Sequence, residues 1–192
     1  MTNALTMFVE TAIYGRRAVR AYTAQPVARE TIEQLIDAAI QAPSSMDLEP
    51  WAFVVIEGVA RLKGFSDRAK AAFVPGPMTG AAAEHFRNML VDPAFNIFHD
   101  ASALIVVCAT SEAGQAVEDC SLAAQNLMLT AHAAGLGTCP IGFSRPWLRL
   151  AETKRELGID LQFVPAFPLV VGYPAEHPVA PGRKKPRIIA IS

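Results

Sequence analysis

The run Arg16-Arg17-Ala18-Val19-Arg20 holds three arginines within five residues, and Ala42-Pro43-Ser44-Ser45 leads a few positions later into Glu49-Pro50-Trp51. An arginine fork grips a phosphate through two parallel hydrogen bonds, and a neighbouring arginine can reach a ring carbonyl. Pro43 ends a helix and sets the hydroxyls of Ser44 and Ser45 where they and nearby backbone donors can line the edge of a ligand. Each run has a plainer reading by itself. Basic residues suit the negative end of a helix dipole, and Ala-Pro-Ser-Ser also makes an ordinary helix-terminating turn. Together, at this spacing, they point to two halves of a pocket for a phosphorylated, planar cofactor.

Further runs follow in the chain: Asp119-Cys120-Ser121-Leu122-Ala123-Ala124-Gln125-Asn126, then Ala134-Gly135-Leu136-Gly137-Thr138 and Ile141-Gly142, then Phe167-Pro168-Leu169-Val170-Val171-Gly172-Tyr173-Pro174, and last the basic Arg183-Lys184-Lys185-Pro186. In this order, over nearly the whole chain, they resemble the FMN-dependent nitroreductase family. Its members open with Arg-Arg-Ser-x-Arg and continue through an apolar helix into Ala-Pro-Ser-Ser/Ala-x-Asn-x-Gln-Pro-Trp. The resemblance implies an α+β fold, a mixed β-sheet sandwiched by helices, in an obligate homodimer.

It also implies tightly held FMN, NADH or NADPH as electron donor, and a nitroaromatic, quinone-type or related acceptor served in ping-pong fashion from one shared pocket. No protein side chain carries a hydride, so no residue is assigned as catalytic and the protein's part is to bind, orient and tune the cofactor. By resemblance, Arg16 and the Arg183, Lys184 and Lys185 cluster hold the phosphate, Arg183 being the preferred ligand, with Arg17 and Ala18 beside them. Arg20 lies near the N1 and C2 carbonyl edge, where reduction places negative charge. Pro43, Ser44, Ser45 and Asp47 line the cofactor from the partner subunit, and Pro140, Ile141 and Gly142 face the ring near N5.

Three positions depart from the family pattern. Ala18 replaces a serine, deleting one phosphate hydrogen bond, and Asp47 and Glu49 put carboxylates where amides are usual, implying an altered potential or substrate range. The same family includes flavin-modifying and dehalogenating branches. A flavin-binding protein used for storage or sensing, or a helical interaction protein with merely solvated arginines, stands as the alternative. Bound yellow flavin and its bleaching by a nicotinamide separate these readings.

A chain of 192 residues with 52% hydrophobic and 18% charged residues has the material for one domain with a sizeable core, and its tilt toward burial hints at a subunit interface. Net charge near -1 gives no general attraction to nucleic acid or anionic membranes. Cys108, Cys120 and Cys139 fall in apolar stretches without Cys-x-x-Cys spacing, so buried free thiols in a reducing cytoplasm are expected. There is no signal-like N-terminus, and the apolar run at 101–110 is too short to span a bilayer. His85, His99, His132 and His177 lack metal-ligand spacing, and none is assigned as a catalytic acid.

The elements that must position these residues are legible in outline. Helices are expected at 4–15 and at 29–41, the second with Ile32, Leu35, Ile36, Ala39 and Ile40 on one apolar face. Trp51 to Glu57 and Ala103 to Ala109 read as interior strands. The 45 or so residues between them, rich in Ala, Gly and Pro, carry helical stretches at 59–72 and 80–91 and form a candidate lid over about 60–95; the resemblance implies that this stretch covers the substrate, making Phe65, Phe73, Met78, His85 and Phe86 candidates for its mouth, with simple packing against the core as the other reading of each aromatic. Residues 115–134 form a helix apolar all round, which self-packing across a two-fold axis would bury, Ala123 and Ala124 allowing close approach.

Ser144, as N-cap, and Gly158, as stop, bound a helix at 145–157. Val164 to Val171 is a strand whose Pro165 and Pro168 argue for an edge in places, and Ile188 to Ile191 is a candidate final strand. Gly135-Leu136-Gly137 follows a helix instead of a strand, so it reads as a helix stop and turn, not a dinucleotide-binding fingerprint.

Overall fold

The computed structural model describes residues 8–73, 80–179 and 182–189, with backbone only at 81–83, 85 and 86. Helix α1 (Val9–Gly15) is followed by α2 (Arg29–Ala39), β1 (Trp51–Glu57), α3 (Val59–Ala72), α4 (Ala81–Val91), β2 (Ala103–Ala109), α5 (Gly114–Ala133), β3 (Gly137–Pro140), the short helices α6 (Arg145–Arg149) and α7 (Ala151–Leu157), and β4 (Val164–Gly172). Part of the expected first helix, the Val74 to Thr79 run with Met78, the side chains of His85 and Phe86, and the end of the candidate last strand lie outside the described residues.

The four strands form one sheet in the order β1-β2-β4-β3. Every strand pair is antiparallel, so the mixed sheet read from the sequence is corrected; the parallel element is an isolated bridge between Ala18 and Thr138. β2 is buried along its whole length because both faces are covered and successive side chains alternate between them. Ile105, Val107 and Ala109 join Leu35, Ala124, Leu127 and Leu169 in a core with residues of α2 and α5. Leu104, Val106 and Cys108 join Leu62, Phe98, Trp147, Leu148 and Val170 in a second core with residues of α3 and α6. Thus one apolar strand divides two cores, and the helices sandwich the sheet.

β1 is an edge strand and only half-buried, unlike the interior strand read from its composition. Apolar character marks the strand, but pairing on both sides depends on segments far away in sequence. β4 has β2 along one side, whereas β3 pairs with Leu169 to Gly172 alone. Pro165 and Pro168 therefore sit in the half that is locally an edge, as a residue without an N–H requires. A bulge also falls there, since Pro165 faces Cys108 while Phe167 faces the adjacent Val107.

The helix expected over 145–157 is broken at Leu150, whose ψ of 136° is extended. Trp147 and Leu148 are buried, and so are Thr153 and Lys154. The extended Leu150 lets each short helix turn its own pair inward. Ser144 does not cap α6 through its side chain; its Oγ donates to the Ile141 carbonyl at 2.8 Å. Gly158, left-handed at φ 70°, ends α7 as read.

Ala123 and Ala124 are fully buried within this chain's own core, so they do not offer a face to a second copy. On α2, Ile32, Leu35 and Ala39 are buried as read, but Ile40 lies past the helix end and is 37% exposed. No helix among the described residues is long and apolar enough to cross a membrane.

Candidate active site

The arginine run is held in place by the sheet. After α1 the chain leaves in an extended conformation at Arg16. The Val19 N–H donates to the Thr138 carbonyl at 3.0 Å, the Thr23 N–H to Tyr173 O at 2.9 Å, and the Ala175 N–H to Ala21 O at 2.9 Å. Segment 18–23 is thereby stitched along β3 and the chain leaving β4. Two glycines permit the approach: a Cβ on Gly137 would lie 2.7 Å from the Val19 side chain, and one on Gly172 would lie 2.8 Å from the Tyr22 ring. The Tyr22 hydroxyl donates to Val19 O at 2.8 Å, closing the turn of chain that presents Arg20.

A cleft of about 540 Å³ opens over this segment. Arg16, Arg17, Ala18 and Arg20 line it on one side, joined by Met128 of α5, Pro140 at the end of β3, and Pro178, Val179 and Arg183 from the C-terminal chain. Arg16 and Arg183 are separated by 167 residues in sequence, yet the guanidinium of Arg16 is influenced by Arg183: burial first, then Arg17 and Arg183, lower its pKa, with Cys139 opposing. Arg17 donates through Nη1 to the Tyr14 and Arg16 carbonyls, both at 2.7 Å, while its Nε is buried without a hydrogen-bond partner.

None of these four arginines forms an ion pair among the described residues, whereas Arg29 pairs with Glu33 and Arg68 with Glu156. Like charges gathered without a carboxylate repel, and an anion between them would relieve that repulsion. An orphaned guanidinium Nε and a cationic cleft with apolar walls at Met128, Pro140 and Val179 fit a ligand with a phosphate at one end and a planar apolar body.

Other predicted residues stand apart from the cleft. Ile141 turns its side chain into the core and its N–H donates to Pro168 O at 2.8 Å, so only its backbone could face a ligand. Gly142 is exposed and begins a 3-10 turn. Lys184 and Lys185 are exposed and do not line the cleft with Arg183. Pro43, Ser44, Ser45 and Asp47 lie on the loop between α2 and β1, and none of them lines the cleft of this chain.

That loop is strained and tethered. Met46, Asp47 and Glu49 have φ of 55°, 53° and 47°, a left-handed conformation that L side chains adopt at a cost. Ser44 Oγ accepts the Glu49 N–H at 2.9 Å. Asp119 of α5, 5% exposed, accepts the Ser45 N–H at 3.2 Å and the Ser45 hydroxyl at 3.4 Å. The sequence motif contained Asp119, but a partner 74 positions away is invisible to spacing. Met128 was likewise missed, because a methionine on a buried helix carries no signal that distinguishes cleft from core.

His99 lies beside Arg20, both lining a smaller cavity with Tyr22, Phe95 and Asp100. Burial, then Arg20, lowers the His99 pKa, with Asp100 opposing. From the candidate lid, Phe65 stacks in tilted fashion on Trp147 at 5.1 Å and belongs to the core, while Phe73 meets Phe143 edge-on at 5.3 Å, next to the Pro140 to Gly142 turn.

Residues 13–173 match the family model described as the nitroreductase family. The chain belongs to the nitroreductase family. It is 31% identical over 176 residues to a putative NADH dehydrogenase/NAD(P)H nitroreductase of Methanothermobacter thermautotrophicus, covering 90% of this chain and 80% of that protein. It is 29% identical over 185 residues to an FMN reductase [NAD(P)H] of Bacillus subtilis, covering 92% of this chain and 68% of the relative. Among solved structures, a nitroreductase with bound FMN from Bacteroides fragilis superposes with a TM-score of 0.81 at 25% identity, over 97% of this chain and 100% of the other. The nitroreductase fold thus accounts for the antiparallel sheet and its helical covers.

Proposed function

We propose that this nitroreductase-family protein is an FMN-dependent oxidoreductase that takes electrons from NADH or NADPH and delivers them to a small acceptor, of nitroaromatic, quinone or related type. The observation that carries the reading is the cleft of unpaired arginines, an anion site built into the fold of a flavoprotein family. FMN, when bound, supplies the two-electron chemistry that no side chain here can supply.

The chain's own residues do the rest. Arg16 and Arg183 converge on the phosphate, with the free Nε of Arg17 as a further donor, and Lys184 and Lys185 add charge from the exposed tail. Ala18 contributes backbone and no hydroxyl. Arg20, toward the opposite end of the run, faces the pyrimidine edge and holds charge there against the negative charge of reduction. Pro140 and the backbone of Ile141 and Gly142 shape the wall at the reacting face and exclude water from it.

The serine loop serves a second copy. It does not reach the cleft of its own chain, and its Met46 and Leu48 are 89% and 68% exposed. The apolar face of α1, with Phe8, Val9, Ile13 and Tyr14, is exposed as well, as are Leu122 on α5 and Ile188 and Ile189 in the tail. A homodimer covers these surfaces and brings Pro43, Ser44, Ser45 and Asp47 to the cofactor of the neighbouring subunit.

The test is the visible spectrum of the protein reconstituted with FMN, followed by anaerobic addition of NADH or NADPH. A bound flavin band that bleaches is the expected result. Bound flavin that neither nucleotide reduces would favour a storage or sensing role, and no bound flavin would overturn the assignment of the cleft.

A further inference from the structure

Arg16 and Arg17 also line a second cavity of about 260 Å³, shared with Gly15, His132, Thr138 and His177. Ala18, Arg20, Pro140 and Arg183, which mark the flavin cleft, do not line it. No carboxylate lines it among the described residues. Two arginines, two histidines and a buried threonine thus line one open cavity, with Arg16, Arg17 and Pro178 shared with the neighbouring cleft.

The seat of His132 is built for this ring. A Cβ on Gly15 would stand 2.7 Å from His132 Nε2, so only glycine at that position lets the imidazole lie against the end of α1. Burial, then Arg16, Arg17 and His177, lower the His132 pKa, and no acid offsets them. The volume admits a tetrahedral oxyanion together with waters of roughly 30 Å³ each.

We propose that this cavity is a second anion site, which takes a phosphate group distinct from that of the flavin and holds it between Arg16, Arg17 and the protonated ring of His132. The proposal rests on the reading above only in assigning the neighbouring cleft to the flavin phosphate. The groups that face His132 are Arg16 and Arg17 from the N-terminal segment and His177 from the C-terminal chain. A phosphate among these cations would favour the charged imidazole, so its binding raises the His132 pKa. Two sources share this chemistry, free phosphate and the ribose 2′-phosphate of NADPH.

The experiment follows the histidine ring signals of the FMN-loaded full chain by NMR during titration with inorganic phosphate. Expected are saturable shifts at His132, an upward move of its titration when phosphate is bound, little change at His99, and at least tenfold weaker binding in His132→Gln with its flavin band intact. NADP⁺ moving the His132 signal where NAD⁺ does not would assign the nucleotide as the source, and movement by inorganic phosphate alone would assign the free ion. Absence of saturation at His132 in the FMN-loaded protein, including saturation seen only after flavin is removed, overturns the proposal. So does unchanged phosphate affinity in His132→Gln; should that variant misfold, the wild-type titration alone decides. If FMN does not bind at all, the visible spectrum shows it, and phosphate saturation at His132 still supports the site.

Discussion

Ala18 and Arg20 sit two residues apart on the same stitched segment, yet they govern different properties of the cleft. Ala18→Ser restores a hydroxyl donor toward the phosphate, and a net hydrogen bond of about 0.5–1.5 kcal/mol corresponds to roughly two- to thirteenfold tighter FMN binding. Fluorescence titration of apoprotein with FMN measures it. Arg20→Leu removes a cation from the edge that gains negative charge, so the flavin midpoint potential falls, and potentiometry with the bound cofactor reads the change. An unchanged potential would remove Arg20 from that role. Asp119 differs from both because it acts on the loop, not the ligand. Asp119→Ala leaves the Ser45 N–H and hydroxyl without their acceptor, and about 1–3 kcal/mol of stability is expected to go, seen as a lower Tm and a lower denaturation midpoint.

Among the elements, the junction of segment 18–23 with β3 decides where the arginines point. Gly137→Ala would drive a methyl into Val19, all three of whose side-chain carbons lie within 2.9 Å of the added atom. Neither β3 nor the segment can yield without moving Arg16 to Arg20. Weaker FMN binding together with a lower Tm is therefore expected, whereas Gly114→Ala, which has open space around it, supplies the control. The arginine run was plain in the sequence, but β3 was not read as a strand, its Gly137 being assigned to a helix stop and turn at Gly135-Leu136-Gly137, since four residues between a glycine turn and a 3-10 turn carry no periodicity. Its identity as a strand comes from pairing with β4. The helix over 145–157 failed for a related reason: local propensity continued through Leu150, whose extended backbone no glycine or proline marks in the sequence.

For the molecule as a whole, the two cores shield the thiols. Burial pushes the pKa of Cys108 up to about 12, and that of Cys120 likewise, from an ordinary 9.0. Both should resist alkylation at neutral pH until the protein unfolds, which mass spectrometry after maleimide treatment detects. The unfolded chain releases these protons at lower pH than the folded one, so their contribution to stability is intact below pH 9 and is lost as pH rises from there toward 12. A fall in Tm over that window is the expected readout. The assembly gives a separate prediction: light scattering at micromolar concentration should return twice the chain mass of 20.6 kDa, and a single-chain mass would sink the homodimer.

The sequence by itself determined what depends on neighbours in the chain. Apolar runs marked β1, β2 and β4, the 3.6-residue period marked α2, glycines marked the ends of α5 and α7, and the order of motifs marked the family. Tertiary structure alone decided that β1 lies at an edge, that Ala123 and Ala124 are spent inside one chain, and that Asp119 holds Ser45. Each of these turns on which distant segments share a register or a cavity. Apolar character and charge are local properties of a residue, while pairing and proximity are properties of the folded chain.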